Sequence, residues 1–132
     1  MGTQQTGEQG EQTALSHLRS KGMRLLQRNF SCRMGEIDLV MVDRSLTCSP
    51  PYSLNHTRIL VFVEVRFRRA NQYGGAAASV TPTKQQRLIR TAKRFLQLHP
   101  RYRNWPCRFD VVALSGDPAV PRVDWIKSAF TL

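Results

Sequence analysis

Acidic residues are scarce in this chain, and over one long stretch they are missing altogether. Lys and Arg number 20 against 9 Asp and Glu, for a formal net charge of +11. Between Glu64 and Asp110 there is no acid, while Arg66, Arg68, Arg69, Lys84, Arg87, Arg90, Lys93, Arg94, Arg101, Arg103 and Arg108 all fall there. Such a block has no internal counter-charge, so it favours a polyanion, and nucleic acid is the commonest one. Cysteine is also sparse. Cys32, Cys48 and Cys107 are odd in number and none belongs to a close pair, which argues against both a disulfide framework and a zinc site. Long apolar runs are lacking: no segment approaches the ~20 residues of a membrane span, and residues 1–12 are too polar for a secretory signal. No helical stretch carries the bulky Trp, Phe and Leu face that interfacial anchoring needs. The expectation is a cytoplasmic protein with no membrane partner.

What is present suffices for one domain over residues 1–132, with a core of its own. Hydrophobic content of 41% and charge of 22% are ordinary for a globular chain, so flexibility is expected only at residues 1–6 and in internal loops. Residues 5–21 read as a helix, with Ala14, Leu15 and Leu18 on one face and Gly22 as terminator. Glu11 shares that inward face, an unusual place for a glutamate. Residues 23–30 and 36–42 read as two strands joined by a turn, and residues 43–57, with Pro50 and Pro51, as a surface loop insertion.

Residues 58–67 make a third strand whose near-continuous apolar character predicts cover on both faces. A flexible connection over 72–80 leads to Thr81-Pro82, a capping residue and a first-turn proline, opening a helix to about residue 98 that Pro100 stops. Leu88, Ile89, Ala92, Phe95 and Leu96 form its apolar face, with Gln85 on the same arc, Lys84 at its edge and Arg87, Arg90, Lys93 and Arg94 mostly opposite. Strands over 107–114 and 122–126 complete an α/β fold, a central mixed sheet of about five strands flanked by helices in the order α-β-β-β-α-β-β.

Glu64 lies inside the apolar third strand, and a carboxylate placed there is either paired or binds something. Two strands side by side would bring Asp38 and Glu64 to one spot, an arrangement that can hold a divalent cation against a phosphate. Residues two apart on a strand share a face, so Glu36 is expected to project with Asp38, and Arg66 with Glu64, Leu60 and Phe62. Hydrolysis of a phosphodiester also needs a cation near the attacked phosphate, which Arg66 or Lys84 can supply. Plainer readings stand beside these. Glu64 and Arg66 can form a structural ion pair, Glu36 a solvated strand end, and Glu11 a cap on its own helix. Asp110 is expected to fix a loop or pair with an arginine. Tyr102 and Trp105, flanked by arginines, are expected to pack, with stacking on an unpaired base as the alternative.

Gly10-Glu11 with Ala14 and Leu18, Asn29-Phe30, Gly35-Glu36-Ile37-Asp38-Leu39, Phe62-Val63-Glu64-Val65-Arg66, Thr81-Pro82 with Lys84, and Arg108-Phe109-Asp110-Val111-Val112 together resemble the YraN family of small bacterial proteins. That family is regarded as restriction-endonuclease-like and is similar to archaeal Holliday junction resolvases. The resemblance implies a metal-dependent nuclease acting on DNA, branched or junction DNA included, with Mg²⁺ or Mn²⁺ held by Asp38 and Glu64. It places Glu11 beside them as a helical carboxylate, and the reading adds Gln85 in a supporting role. Where the nuclease pattern has Glu, one residue and then Lys, this chain has Arg66. Arginine can clamp a phosphate but cannot accept a proton; Lys84 is the candidate to replace it. The alternative is a non-catalytic nucleic-acid-binding protein with a degenerate nuclease site. Arg68, Arg69, Arg87, Arg90, Lys93, Arg94, Arg101 and Arg103 are the expected backbone-tracking residues. Similarity to junction-cleaving enzymes raises a homodimer as one assembly, although symmetry is not legible in one chain.

Overall fold

The computed structural model describes residues 3–49, 53–68 and 80–131, with side chains for 7–44, 58–68 and 80–131. Helix α1 (Thr3–Ser20) opens the chain, starting inside the stretch expected to be flexible. It ends where Gly22 adopts a φ of +93°: Gly22 N donates to Arg19 O at 3.0 Å and Met23 N to Leu18 O at 3.2 Å. This paired closure satisfies carbonyls that the helix would otherwise leave bare, and it needs a residue at ease with positive φ.

Strands β1 (Arg24–Cys32), β2 (Gly35–Ser49) and β3 (Ser53–Arg68) follow as an antiparallel meander, then helix α2 (Pro82–Leu98), a 3-10 turn at Pro100–Tyr102, β4 (Cys107–Ser115) and β5 (Arg122–Phe130). The five strands lie in chain order across one sheet, with β3 and β4 parallel and β4 and β5 antiparallel. This is the expected α/β architecture and element order.

The expected surface loop over 43–57 is not one. β2 and β3 continue through most of it as a hairpin arm, paired from Asp43↔Ile59 out to Ser49↔Ser53. Only residues 50–52, with both prolines, fall outside the described residues, as does most of the connection read over 72–80. The arm is held by backbone ladder bonds, which need no apolar stripe and so leave no periodicity to read.

The sheet buries both faces. Phe30, Ile37, Val40, Leu60, Phe62, Phe109 and Val111 pack under Leu88, Ala92 and Phe95 of α2. Leu39, Met41, Val61, Val63, Val112 and Leu114 pack under Ala14, Leu15 and Leu18 of α1. β3 therefore has cover on both sides, as its unbroken apolar run predicts, and each such side chain stabilises the fold by about 1.5–3 kcal/mol. Phe62 stacks on Phe109 at 5.4 Å and meets Phe95 edge-on at 5.8 Å, which fixes α2 over the middle of the sheet. Thr81 caps α2, its hydroxyl accepting from Lys84 N at 3.2 Å. Among the described residues no helix is long and apolar enough to cross a membrane.

Candidate functional site

β2 and β3 are paired as far as Leu39↔Val63 and then part. At the next step Val65 N donates not to a strand carbonyl but to Asp38 Oδ2, at 2.7 Å. Alternation along β2 breaks at the same residue: Ile37 joins Val40 in the α2-side core, whereas Leu39 joins Met41 on the α1 side. Glu36 and Asp38 consequently do not project together as simple alternation predicts. Asp38 reaches across to β3, and its carboxylate takes the place of the missing ladder bond.

Glu64, one residue before Val65, is only 7% exposed, and its carboxyl lies beside that of the half-buried Asp38. Two carboxyl groups side by side and away from water disfavour ionisation of both. Burial first, and the charge of Asp38 second, push Glu64 up to about 7, against the opposing pull of Lys84 and Arg66. Asp38 is also raised, chiefly by burial, with the Val65 N–H drawing it back down. Lys84, in the first turn of α2, stands 3.6 Å from Glu64 Oε1. Its ion pair and the raised Glu64 pull in opposite directions; a half-exposed ammonium at that distance does not offset burial together with a second carboxyl.

From the opposite layer α1 brings Glu11, which is raised by burial and then by the charge of Asp38, with Arg28 lowering it. Glu11 of α1 and Glu36 of β2 thus lie within electrostatic reach of the Asp38–Glu64 pair where β2 leaves β3, with Lys84 and Arg66 as the neighbouring cations. Asp38, Glu64, Glu11, Lys84 and Arg66 are accordingly brought together. Gln85 is not drawn in with them: its amide donates to Val80 O at 3.0 Å and braces the start of α2.

Two neighbours were given no role from the sequence, although Asn29 stood in one of the motifs that carry the resemblance. Asn29 holds a φ of +53°, and with its amide nitrogen turned towards the acids it donates to Glu36 Oε1 at 3.1 Å and to Glu11 Oε1. Asparagine is among the few residues at ease in that conformation, so a polar Asn ending the run Gln27-Arg28-Asn29 was the available signal. Arg28 holds Gln12 Oε1 at 3.1 Å while its charge acts on Glu11.

Asp110 is structural, as expected. It is 1% exposed and accepts from Arg108 at 2.8 and 2.9 Å, from Trp125 Nε1 at 3.0 Å and from Ser128 N at 3.0 Å. Tyr102 and Trp105 pack against the α2-side core and meet each other edge-on at 4.8 Å. Of the basic residues, Arg87, Arg90, Lys93 and Arg94 are exposed along α2, and Arg101 and Arg103 are exposed beyond it. Arg68 instead approaches Asp124 at 3.9 Å, and Arg69 lies outside the described residues.

Among the described residues no three His, Cys, Asp or Glu side chains already form a complete ligand group. Asp38 and Glu64 nonetheless suit a hard divalent cation. They are oxygen donors, one buried and one half-buried, and side by side they concentrate negative charge that a cation would balance. Mg²⁺ is commonly held by one or two carboxylates while keeping several waters.

Fold and site define a small α/β protein with a carboxyl cluster at the edge of a basic surface. The chain belongs to the family described as "Uncharacterised protein family UPF0102", which it matches over residues 10–114; this bears out the YraN-like resemblance. It is 46% identical over 128 residues to a UPF0102 protein of Stutzerimonas stutzeri, covering 97% of this chain and 96% of that one. A UPF0102 protein of Nitrosococcus oceani is 44% identical, with 94% and 90% covered. One of Alkalilimnicola ehrlichii is 46% identical, with 96% and 87% covered.

Proposed function

We propose that this protein is a metal-dependent nuclease that hydrolyses phosphodiester bonds in DNA, acting in the cytoplasm and recognising shape, such as branches or ends, over sequence. The observation that carries this reading is the pair of neighbouring carboxyls, buried Glu64 and half-buried Asp38, in a chain of net charge +11. A buried acid pair with no arginine locked onto it costs stability, and such arrangements cluster at functional sites. Asp38 and Glu64 would hold Mg²⁺ or Mn²⁺ between them. The ion would supply Lewis-acid polarisation of the phosphate and a water of lowered pKa.

The protein's own residues do the rest. Lys84, placed by the capped first turn of α2, neutralises charge on the phosphate, and Arg66 clamps a second oxygen. Glu11, raised by burial and then by the charge of Asp38, stands beside the pair in a supporting role. The exposed Arg87, Arg90, Lys93 and Arg94 follow the DNA backbone.

Incubation of branched and linear DNA with the protein and Mg²⁺ or Mn²⁺ tests this. Cleavage is expected to stop in Asp38→Ala and Glu64→Ala; cleavage that persists in both would belong to a contaminant and end the reading. Arg66 favours a second reading, a DNA-binding protein without catalysis, because it stands where a lysine serves in the nuclease pattern. Activity that appears only in Arg66→Lys would support that alternative.

A further inference from the structure

At the far end of the sheet from the acids, Arg24, Arg44, Arg58 and Arg101 line a cavity of about 90 Å³ together with Tyr102 and Trp105. No acid lines it. Arg44 and Arg58 are direct cross-strand partners in the β2–β3 ladder, and Arg24 reaches the same face as the partner of Val42. Like charges placed directly opposite on a sheet are destabilising. Here Asp43, the residue before Arg44, is committed elsewhere, bound to Arg108 at 2.9 Å. None of the four guanidinium groups makes an ion pair among the described side chains. A neutral cross-strand pair would be more stable, so the crowded cations suit a ligand that supplies the missing negative charge.

The walls narrow the choice. Four arginines exceed what one phosphodiester charge balances, whereas a phosphomonoester carries close to two at neutral pH. Guanidinium forks grip its oxygens in pairs. Arg101 lies 5.6 Å from the Tyr102 ring centre, and Tyr102 stands edge-on to Trp105, so one wall is aromatic and accepts a flat base. A phosphate seated among the arginines leaves the base it carries beside that wall. We propose that this pocket binds a terminal phosphate carried next to an unpaired base, at the end of a nucleic-acid strand or on a free nucleotide.

From Asp38 to Arg44 is six residues of strand, roughly 20 Å, so the pocket is a separate site. It does not rest on the hydrolytic reading, and binding measured without metal reports on it alone. Titration calorimetry at about 0.15 M salt, where non-specific attraction is reduced, would compare three single strands of one sequence: 5′-phosphorylated, 3′-phosphorylated and unphosphorylated. One phosphorylated strand is expected to bind about tenfold tighter than the bare one. Arg44→Gln/Arg58→Gln should abolish that preference while the melting temperature holds or rises. Lys93→Gln/Arg94→Gln should weaken all three strands alike. Competition by adenosine monophosphate but not adenosine would identify a free nucleotide as the source, and its absence a strand end. Equal binding of the three strands, or a preference that survives Arg44→Gln/Arg58→Gln, overturns the proposal.

Discussion

Glu64 keeps a proton that an exposed glutamate would release, and the sign of its effect on stability follows. Its value is about 7 when folded against an ordinary 4.5, so between those values the folded chain binds more protons than the unfolded one. Stability from this group is therefore full below about pH 4.5 and is lost as pH rises towards and past 7. The loss is at most about 3 kcal/mol. Urea titrations at pH 4.5 and pH 8 in chelator should show it in the native protein and a much flatter response in Glu64→Gln; identical slopes would mean that the carboxyl is not buried beside Asp38. Mg²⁺ should restore stability at pH 8. Asp38 accepts from Val65 N and, in the proposed reaction, would hold the metal, and substitution can separate the two. Asp38→Asn retains an oxygen for Val65 N and should fold normally but not cleave, whereas Asp38→Ala strands a backbone donor and should cost a further ~1–3 kcal/mol. Arg108→Ala leaves Asp110 as a buried anion without its cation and is expected to cost about 3–5 kcal/mol, read by denaturation.

At the scale of elements, α1 and α2 each bring one charged side chain, Glu11 and Lys84, towards the carboxyl pair, and each is aimed by a small device. Thr81 caps α2 immediately before the turn that carries Lys84. Thr81→Ala should cost about 1 kcal/mol and lower the cleavage rate, with Thr81→Ser restoring both. Gly10 lets α1 approach the sheet: a Cβ there would stand 2.6 Å from the Phe67 ring and 3.3 Å from Leu114. Alanine gains about 1 kcal/mol of helix propensity and Phe67, 41% exposed, has room to swing away, so Gly10→Ala should be nearly neutral. Gly10→Leu should cost about 1–3 kcal/mol and displace Glu11.

How far the elements were legible follows from what sequence patterns report. Thr81-Pro82 and the apolar stripe from Leu88 to Phe95 announced α2, because a cap and a buried face both leave marks in residue type. The run from Ile59 to Phe67 announced a strand covered on both sides. The arm beyond Asp43 left no such mark, since ladder bonds are made by backbone that every residue but proline shares. The approach of Asp38 to Glu64 was legible as a pair of charges in apolar strands. The break in alternation that points Asp38 across to Val65 was not, because it is set by where two strands part and not by either strand alone.

Over the whole molecule, charge is the property that sequence conveys most directly, since it needs no fold to be counted. Its distribution is another matter. Arg68 and Arg108 belong to the basic block in sequence but approach Asp124 and Asp43 in the fold, so fewer cations face solvent than the chain contains. If α2 follows a phosphate backbone, the logarithm of affinity for duplex DNA should fall linearly with the logarithm of salt. Each of Arg87→Gln, Arg90→Gln and Lys93→Gln should then lower the slope by about 1, as filter binding or anisotropy would report.

The strand order carries a consequence for how the chain is made. Because β1, β2 and β3 are neighbours in both sequence and space, a nascent chain can zip this meander while everything after residue 68 is still being translated. The parallel partner β4 must wait for the whole of α2 to be synthesised and to cross over the sheet. Until then β3 has a bare edge along the side that β4 will cover, and Glu64 sits on it without Lys84. Slowing synthesis across the α2 codons would prolong the life of that half-built sheet, and aggregation during expression is the expected result.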